Sequence, residues 1–330
     1  MPTSSADSSF TTPTDTTRDS AVIGRSGNCG SLCRCLGQLE PHERGRPPGY
    51  DVAVHKMTVM QTQTHDLTFT STEVRKRYVS WDAGEADREW GCLTILAECA
   101  PGVAPRPLRR ETFRGGPVVV MERLPGRPLG YAPLTREQTT SLGHTLRRLY
   151  DVPLESILNA NIGERRYGPT TQRQTLKGWL SHSYDLIECR DPALVAESVD
   201  ATLAWISRSD ILPEPQLVAL GISDLNPTNI LWDGATCRLV DFEDGGLTDP
   251  AYELADHVEH IAGRLTGVLD PEELVDAVGL SENERERMVA YRTLWAAFWL
   301  AMLLPGNGAF LRNPPGTTED QAAHMLALID

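Results

Sequence analysis

Apolar positions along the chain alternate at first and later repeat at helical spacing, which divides residues 57–330 into a strand-rich part and a helix-rich part. Alternation over short runs predicts strands, and an apolar repeat that stops before Pro101 predicts one helix among them. The predicted strands are 57–62, 67–70, 73–79 and 117–122, and the predicted helix is 84–99. The pattern therefore predicts a small α+β lobe.

The rest of the chain is predicted to be mainly helical. Thr135 and Gln138 have the spacing of a capping box and begin a predicted helix over 136–150. The pair Asp233-Gly234 lies between two apolar runs and predicts a hairpin that joins 229–232 to 237–241. Further helices are predicted at 170–187, 192–208, 251–266, 271–278, 282–304 and 318–329. We therefore expect a first lobe at 51–126 and a second at 127–330.

Residues 1–50 differ from both lobes, because they are rich in Ser, Thr, Asp, Gly and Pro and contain few large apolar residues. Such a segment cannot bury enough surface to order itself, so we expect a disordered tail. The tail contains Cys29, Cys33 and Cys35 together with His42. Their spacing is poor for a zinc site, and the tail interpretation is preferred.

Charge and composition narrow the class of protein. The formal net charge of −14 disfavours nucleic acid and anionic membranes as partners and favours a cationic small molecule. The alternative is that the acidity only aids solubility. The longest apolar run, 294–304, is shorter than a bilayer span and predicts a buried helix. The seven cysteines are an odd number, and four of them are scattered along the chain, which fits a reducing cytoplasm better than a disulfide framework. The sequence does not indicate an oligomeric state.

Three polar residues around the predicted hairpin have the types and spacing that phosphoryl transfer requires. Asn229 would lie opposite a residue between Arg238 and Val240, and therefore close to Asp241. An amide oxygen and a carboxylate suit Mg²⁺. Asp224 lies on the loop before the hairpin, where it can face a substrate hydroxyl as a base. The alternative is that the polar side chains of this loop only form Asx turns.

Segments 224–231, 239–243 and 248–255 resemble the catalytic loop, the metal loop and the following helix of the aminoglycoside phosphotransferase and choline kinase family. The resemblance covers about 57–330. It implies an α+β, bilobal, protein-kinase-like fold and transfer of the ATP γ-phosphate to a small-molecule hydroxyl. By this resemblance Asp224 is the catalytic base, Asn229 and Asp241 bind Mg²⁺, and Asp249 caps the next helix.

The resemblance also implies a nucleotide site in the first lobe. Lys76 would bind the α- and β-phosphates and Glu89 would orient it, with Glu85 as the second choice of partner. Arg75 would replace Lys76 if the strand register were shifted by one. The run 118–124 resembles the segment that joins the lobes. There the backbone of Glu122 and Leu124 would bind adenine, with Met121 packed nearby.

Two features depart from the family pattern. Ile222 and Ser223 replace the His-Gly that often precedes the catalytic Asp. No glycine lies between Met57 and Tyr78, so Thr62, Thr64 and Thr68 would have to donate bonds to the phosphates. These departures leave a nucleotide-binding pseudokinase as an alternative.

The leading hypothesis is a kinase for an antibiotic or amino-sugar-like acceptor, and the second is a metabolic kinase for choline, homoserine or a similar alcohol. A set of carboxylates near the motif predicts an acidic rim that attracts an amine-bearing acceptor; the alternative is an ordinary solvated helix face. The set comprises Glu243, Asp244, Glu253, Asp256 and Glu259. Trp295 and Trp299 are interpreted as core residues rather than as a platform for a ligand.

Overall fold

The structure is a computed structural model that describes residues 65–79 and 83–330. The tail at 1–50, the cysteine cluster within it, the predicted strand at 57–62 and the side chains of Thr62 and Thr64 lie outside the described residues.

The described chain begins with strands and continues mainly as helices. The strands are β1 Asp66–Phe69, β2 Glu73–Arg77, β3 Pro107–Phe113, β4 Gly116–Glu122, β5 Arg127–Pro128, β6 Ala219–Gly221, β7 Ile230–Trp232, β8 Cys237–Leu239 and β9 Gly246–Thr248. The α-helices are α1 Glu85–Cys99, α2 Arg136–Tyr150, α3 Leu154–Asn159, α4 Gln172–Leu180, α5 Pro192–Ser207, α6 Pro250–Glu259, α7 Ile261–Thr266, α8 Pro271–Val278, α9 Glu282–Met302, α10 Gly308–Arg312 and α11 Thr317–Ile329.

The first lobe is built on an antiparallel sheet, whose described strands follow the order β1-β2-β4-β3. Successive residues of a strand point to opposite faces, and β2 shows the consequence. Lys76 is buried and lies on one face, whereas Arg75 and Arg77 lie on the other. Helix α1 packs beside this sheet, and its Leu93 and Leu96 are fully buried in the shared core.

Strand β3 was not predicted, and its charges explain why. Arg109 contacts both Glu73 and Glu111 at 2.8 Å on a largely solvent-accessible surface of the sheet. Paired charges on an edge strand hide the apolar alternation by which a strand is recognised.

The chain leaves the first sheet after Glu122 and enters a second sheet at β5, which pairs with β7 in the order β5-β7-β8. Strands β6 and β9 form a separate pair. The predicted lobe boundary between residues 126 and 127 stays a prediction, which this change of sheet supports.

Local capping fixes several helix starts at their predicted places. Thr135 and Gln138 make both bonds of a capping box, at 3.3 and 2.9 Å, and α2 follows as predicted. Helices α5, α6 and α8 each begin with an Asp N-cap followed by Pro in the first turn, which is a favourable start. Asp249 is one of these caps.

Helix α9 passes through the centre of the second lobe. Its apolar end continues into Leu304, and every residue of 294–304 is buried, as predicted. Trp295 and Trp299 are core residues, 1% and 8% exposed, in accordance with their interpretation. Within 65–79 and 83–330, none of the helices combines the length and the apolar character needed to cross a membrane.

Two predicted helices were wrong in extent. The predicted helix at 170–187 ends at Leu180 in the structure, and Asp185 caps a separate 3₁₀ turn by accepting from Ile187 N–H at 3.1 Å. The helix at 251–266 is interrupted at His260, whose ψ of 123° is extended and separates α6 from α7.

Candidate active site

The hairpin formed by β7 and β8 brings Asn229 next to Asp241. Val240 N–H donates to the Asn229 carbonyl at 2.9 Å, which confirms the predicted register. The Asn229 side chain donates to the backbone carbonyl of Asp224 at 3.2 Å and so ties the loop before the hairpin to it. Among the described residues, Asn229 Oδ1 is buried and meets no hydrogen-bond donor. An orphaned amide oxygen beside a carboxylate is a reasonable pair of ligands for a hard cation.

Lys76 lies where the two lobes meet and contacts carboxylates from both. Its Nζ is 2.7 Å from Glu89 Oε2 on α1 and 2.6 Å from Glu243 Oε2, and it also bonds Asp241 Oδ1. The three carboxylates each offer an oxygen within 4.8 Å of the others. One ammonium therefore faces three carboxylates, which leaves this cluster a formal charge of −2 when all are ionised.

Burial and neighbouring charges shift the acidities within this cluster. Burial raises the pKa of Asp241 well above its ordinary value, and Lys76 acts in the opposite direction. Burial also acts to raise the pKa of Glu243, but Lys76 and His65 lower it to about 2. His65 Nδ1 accepts from Val79 N–H at 3.2 Å, so Nε2 is the ring nitrogen that carries a proton, and it lies 2.7 Å from Glu243 Oε2.

Asp224 lies on the loop after β6 and keeps a side-chain exposure of 23%. Its Oδ1 accepts from Asn226 N–H at 3.2 Å and lies 3.4 Å from His260 Nε2. The Asx turn that the sequence offered as an alternative is therefore present. It coexists with a carboxylate that remains accessible from outside.

Buried Arg165 holds the residue that precedes Asp224. Its guanidinium donates at 2.5 Å to Glu253 and at 2.5 Å to Asp256, both on α6. It also donates to Ser223 Oγ at 2.7 Å and Ser223 O at 3.3 Å. These bonds anchor the start of the loop to α6.

Glu253 supports the same residue from its other side. It accepts the Ser223 N–H at 2.7 Å. Gly221 permits this approach, because a Cβ there would lie 2.4 Å from the Glu253 carboxylate. Ser223 has φ of 74°, a left-handed conformation that non-glycine residues seldom adopt. The bonds from both partners offset the strain of this conformation.

Three solved structures show which fold this is. The chain resembles the GDP complex of aminoglycoside 2'-phosphotransferase-IIIa with a TM-score of 0.56 and 15% identity, over 82% of this chain and 89% of that one. It resembles a choline/ethanolamine kinase family protein from Mesorhizobium loti with a TM-score of 0.54 and 18% identity, over 82% and 86%. It resembles spectinomycin phosphotransferase in complex with ADP and spectinomycin with a TM-score of 0.50 and 13% identity, over 82% of this chain and 87% of that one. The predicted bilobal kinase-like fold is confirmed.

Sequence comparison decides the family. No curated protein matches the chain significantly. The model of the phosphotransferase enzyme family matches residues 59–290, which is more than half of the chain. The chain belongs to this family. As a family member it is an ATP-dependent phosphotransferase that acts on a hydroxyl group, which confirms the predicted enzyme class.

In this phosphotransferase, Lys76 meets the partner that was expected first. It contacts Glu89, whereas the Glu85 carboxylate accepts a hydrogen bond from the backbone N–H of Ala83 at 3.1 Å. Arg75 lies on the opposite face of β2 and pairs with Glu111 at 2.6 Å. The strand register is thus the one in which Lys76 faces inward.

The segment that joins the lobes of the phosphotransferase places its predicted adenine contacts at the end of β4. Met121 is buried in the core, whereas Glu122 and Leu124 are partly exposed. The Glu122 N–H donates to Arg106 O at 2.9 Å. A bond from this residue to a nucleotide would therefore use its carbonyl.

The predicted acidic rim is wrong for the three carboxylates of α6. Glu253 and Asp256 are buried on Arg165, and Glu259 is buried between Arg292 at 2.8 Å and His324 at 2.7 Å. A buried carboxylate is retained with a partner, because an unpaired one would be strongly destabilising. These groups are neither a rim nor a solvated face.

Sequence reasoning missed several residues of this site. His65, Arg165 and His260 were assigned no functional role, because no local pattern marks them. Glu243 did carry a signal, since it lies in the Val-Asp-Phe-Glu run beside Asp241. That signal was interpreted as part of the acceptor site and not as a contact of Lys76.

Proposed function

We propose that this phosphotransferase transfers the γ-phosphate of ATP to a hydroxyl of an antibiotic or amino-sugar-like small molecule. The observation that carries the proposal is the convergence of Lys76, Glu89 and Asp241 where the lobes meet, with Asn229 and Asp224 on the adjoining loop. Two proteins of similar fold, an aminoglycoside 2'-phosphotransferase and a spectinomycin phosphotransferase, support this acceptor class.

Asp224 is the proposed base. The acceptor hydroxyl would give its proton to the Asp224 carboxylate as its oxygen bonds the γ-phosphorus and the bond from phosphorus to the departing ADP breaks. Partial exposure of this carboxylate, at 23%, is compatible with a substrate that approaches it from outside.

Lys76 is proposed to bind the α- and β-phosphates, and Glu89 to hold it in place. Glu89 also accepts from the Tyr78 hydroxyl, so its orientation is fixed from two sides. Met121, Glu122 and Leu124 are proposed to contact adenine at the segment joining the lobes.

Asn229 and Asp241 are proposed to hold Mg²⁺. The orphaned Asn229 Oδ1 and the excess of negative charge around Lys76 fit a divalent cation. When bound, Mg²⁺ would neutralise phosphate charge during transfer.

A metabolic kinase for choline, homoserine or a similar alcohol is the second proposal, which the fold of the choline/ethanolamine kinase family protein supports. For either acceptor, the net charge of −14 favours a cationic compound over nucleic acid. A cytoplasmic location is also proposed, in agreement with the free thiols of Cys92, Cys99, Cys189 and Cys237.

The test is release of ADP or GDP, from ATP or GTP, across a panel of aminoglycosides, peptide antibiotics, macrolides and amino alcohols. Asp224→Ala serves as the inactive control. Acceptor-dependent turnover that this variant loses would support the kinase, and the responding compound would distinguish the two acceptor classes. Tight binding of Mg-ATP without turnover on any compound would favour a pseudokinase, and failure to bind it would refute all three.

A further inference from the structure

A histidine outside the recognised motifs faces the proposed base. His260 lies at the junction of α6 and α7, and its Nε2 is 3.4 Å from Asp224 Oδ1. This distance is long for a hydrogen bond, but such bonds are often long in the absence of substrate and shorten in the reacting complex. His260 is only 4% exposed, so its ring has little freedom to move elsewhere.

The ring of His260 is held by its surroundings. It packs edge-on against Trp299 of α9, with ring centroids 4.9 Å apart and planes at 76°. The helix is interrupted at His260, and the extended backbone there fixes the position from which its side chain extends. Such an edge-to-face pair gives a preferred orientation to a ring that would otherwise rotate.

Three residues close to Asp224 in the loop or beside it have other surroundings or other bonding partners than its carboxylate. Ile222 is fully buried and apolar. Arg165 acts on Ser223 and on α6, and Asn229 donates to the Asp224 backbone and not to its carboxylate. The imidazole of His260 faces the Asp224 carboxylate at 3.4 Å and is placed to orient it.

We propose that His260 is a positioning residue, which donates from Nε2 to Asp224 Oδ1 and fixes the carboxylate for the acceptor hydroxyl. This inference rests on the proposed role of Asp224 as the base. His260 does not exchange a proton with the substrate; it sets the plane of the group that does. A donor held by aromatic packing orients a base without ordering a long flexible side chain.

Two substitutions separate donation from packing. His260→Phe keeps an aromatic ring against Trp299 but removes the donor, whereas His260→Gln keeps an N–H donor and loses the ring. We expect His260→Phe to lower kcat on the order of 10- to 100-fold, with KM for ATP within about twofold of the wild type. His260→Gln should retain more of kcat.

Each substitution is then combined with Asp224→Asn. If His260 acts through Asp224, His260→Phe should cause no further loss in that background. The matched control is His324→Gln, because His324 also pairs with a carboxylate of α6 but not with Asp224. This control should retain the wild-type kcat.

A measurement without acceptor completes the test. The ring-nitrogen NMR signals of His260 in the full chain should shift on Asp224→Asn, while those of His324 should not. Unshifted His260 signals, a wild-type kcat for His260→Phe, or a further loss by His260→Phe on Asp224→Asn would each overturn the proposal. If Asp224→Asn itself keeps turnover, Asp224 is not the base and both proposals fall; if it is inactive and His260→Phe is unimpaired, only this one falls.

Discussion

Arg165 is expected to be essential both for folding and for the loop that carries Asp224, and Arg165→Met tests this. Arg165 is 3% exposed. Its guanidinium bonds Glu253, Asp256 and Ser223 and also lies 5.0 Å over the ring of Trp295. Methionine fills much of the same volume but leaves two buried carboxylates without their cation.

The size of the effect follows from burial. Removing one partner of a buried ion pair costs about 3–5 kcal/mol, because the remaining charge is uncompensated. For a urea m-value of about 3 kcal/mol/M, that lowers the unfolding midpoint by about 1 M or more. Loss of the bonds to Ser223 should also lower kcat by about 100-fold, since small displacements of a reacting group have effects of that order.

The pH dependence has a definite sign. Burial raises the pKa of Asp256 to about 7, against the lowering effect of Arg165. A raised folded-state pKa gives stability that is present below the unfolded-state value and lost as the pH rises through the folded-state value. Without Arg165 the pKa of Asp256 rises further, so Arg165→Met should be more destabilising at pH 8 than at pH 5.5.

Urea unfolding at both pH values, followed by circular dichroism, measures this effect, with ADP release as the kinetic readout. Arg147→Met is the control, because Arg147 pairs with Asp151 on the surface, where such a pair contributes about 0.3–0.5 kcal/mol. Arg165→Lys keeps the positive charge but not the forked set of N–H donors, so its loss of stability should lie between those of Arg147→Met and Arg165→Met. A loss below about 1 kcal/mol for Arg165→Met, or no difference between the two pH values, would refute the reasoning.

Three further predictions concern the buried charges. Lys76→Met should lower kcat at least about 100-fold and lower the thermal midpoint of unfolding. Mg²⁺ should raise the midpoint of this variant more than it raises that of the wild type; a midpoint insensitive to Mg²⁺ would contradict this. Asp241→Asn should raise the metal-free midpoint, by reducing repulsion among carboxylates, and abolish turnover; a lower midpoint in calorimetry would count against it. Burial lowers the pKa of His257 to about 4, so its contribution is present above about pH 6.5 and lost as the pH falls through 4. His257→Leu should remove a slope worth about 3 kcal/mol over that range in urea titrations at graded pH, and an unchanged slope would disprove the assignment.

Features that depend on neighbouring residues in the chain could be predicted from the sequence. The Asp233-Gly234 turn fixed the register that brings Asn229 beside Asp241, because a short hairpin leaves few ways to pair its strands. Alternation along β2 likewise turned Lys76 inward, toward Glu89. In both cases a period or a turn type determined the result.

Features that depend on distant partners could not be predicted. Every residue of α6 is buried, yet its carboxylates look from the sequence like those of a solvated helix. Two of them, Glu253 and Asp256, are buried with Arg165, which comes from a loop 88 positions before Glu253 and bonds both. No local sequence pattern predicts such a pairing. The same holds for His65, which contacts Glu243 across the junction of the lobes.

Ile222 is the residue that made turnover doubtful, and its surroundings weaken that doubt. Its side chain is fully buried in the core and offers nothing polar to the loop. The polar support comes from other elements instead: Arg165 and Glu253 bond Ser223, and His260 faces Asp224. An apolar residue two positions before the proposed base is therefore compatible with an ordered catalytic loop. The pseudokinase alternative then rests on the glycine-free hairpin, and turnover by the wild type with any acceptor would exclude it.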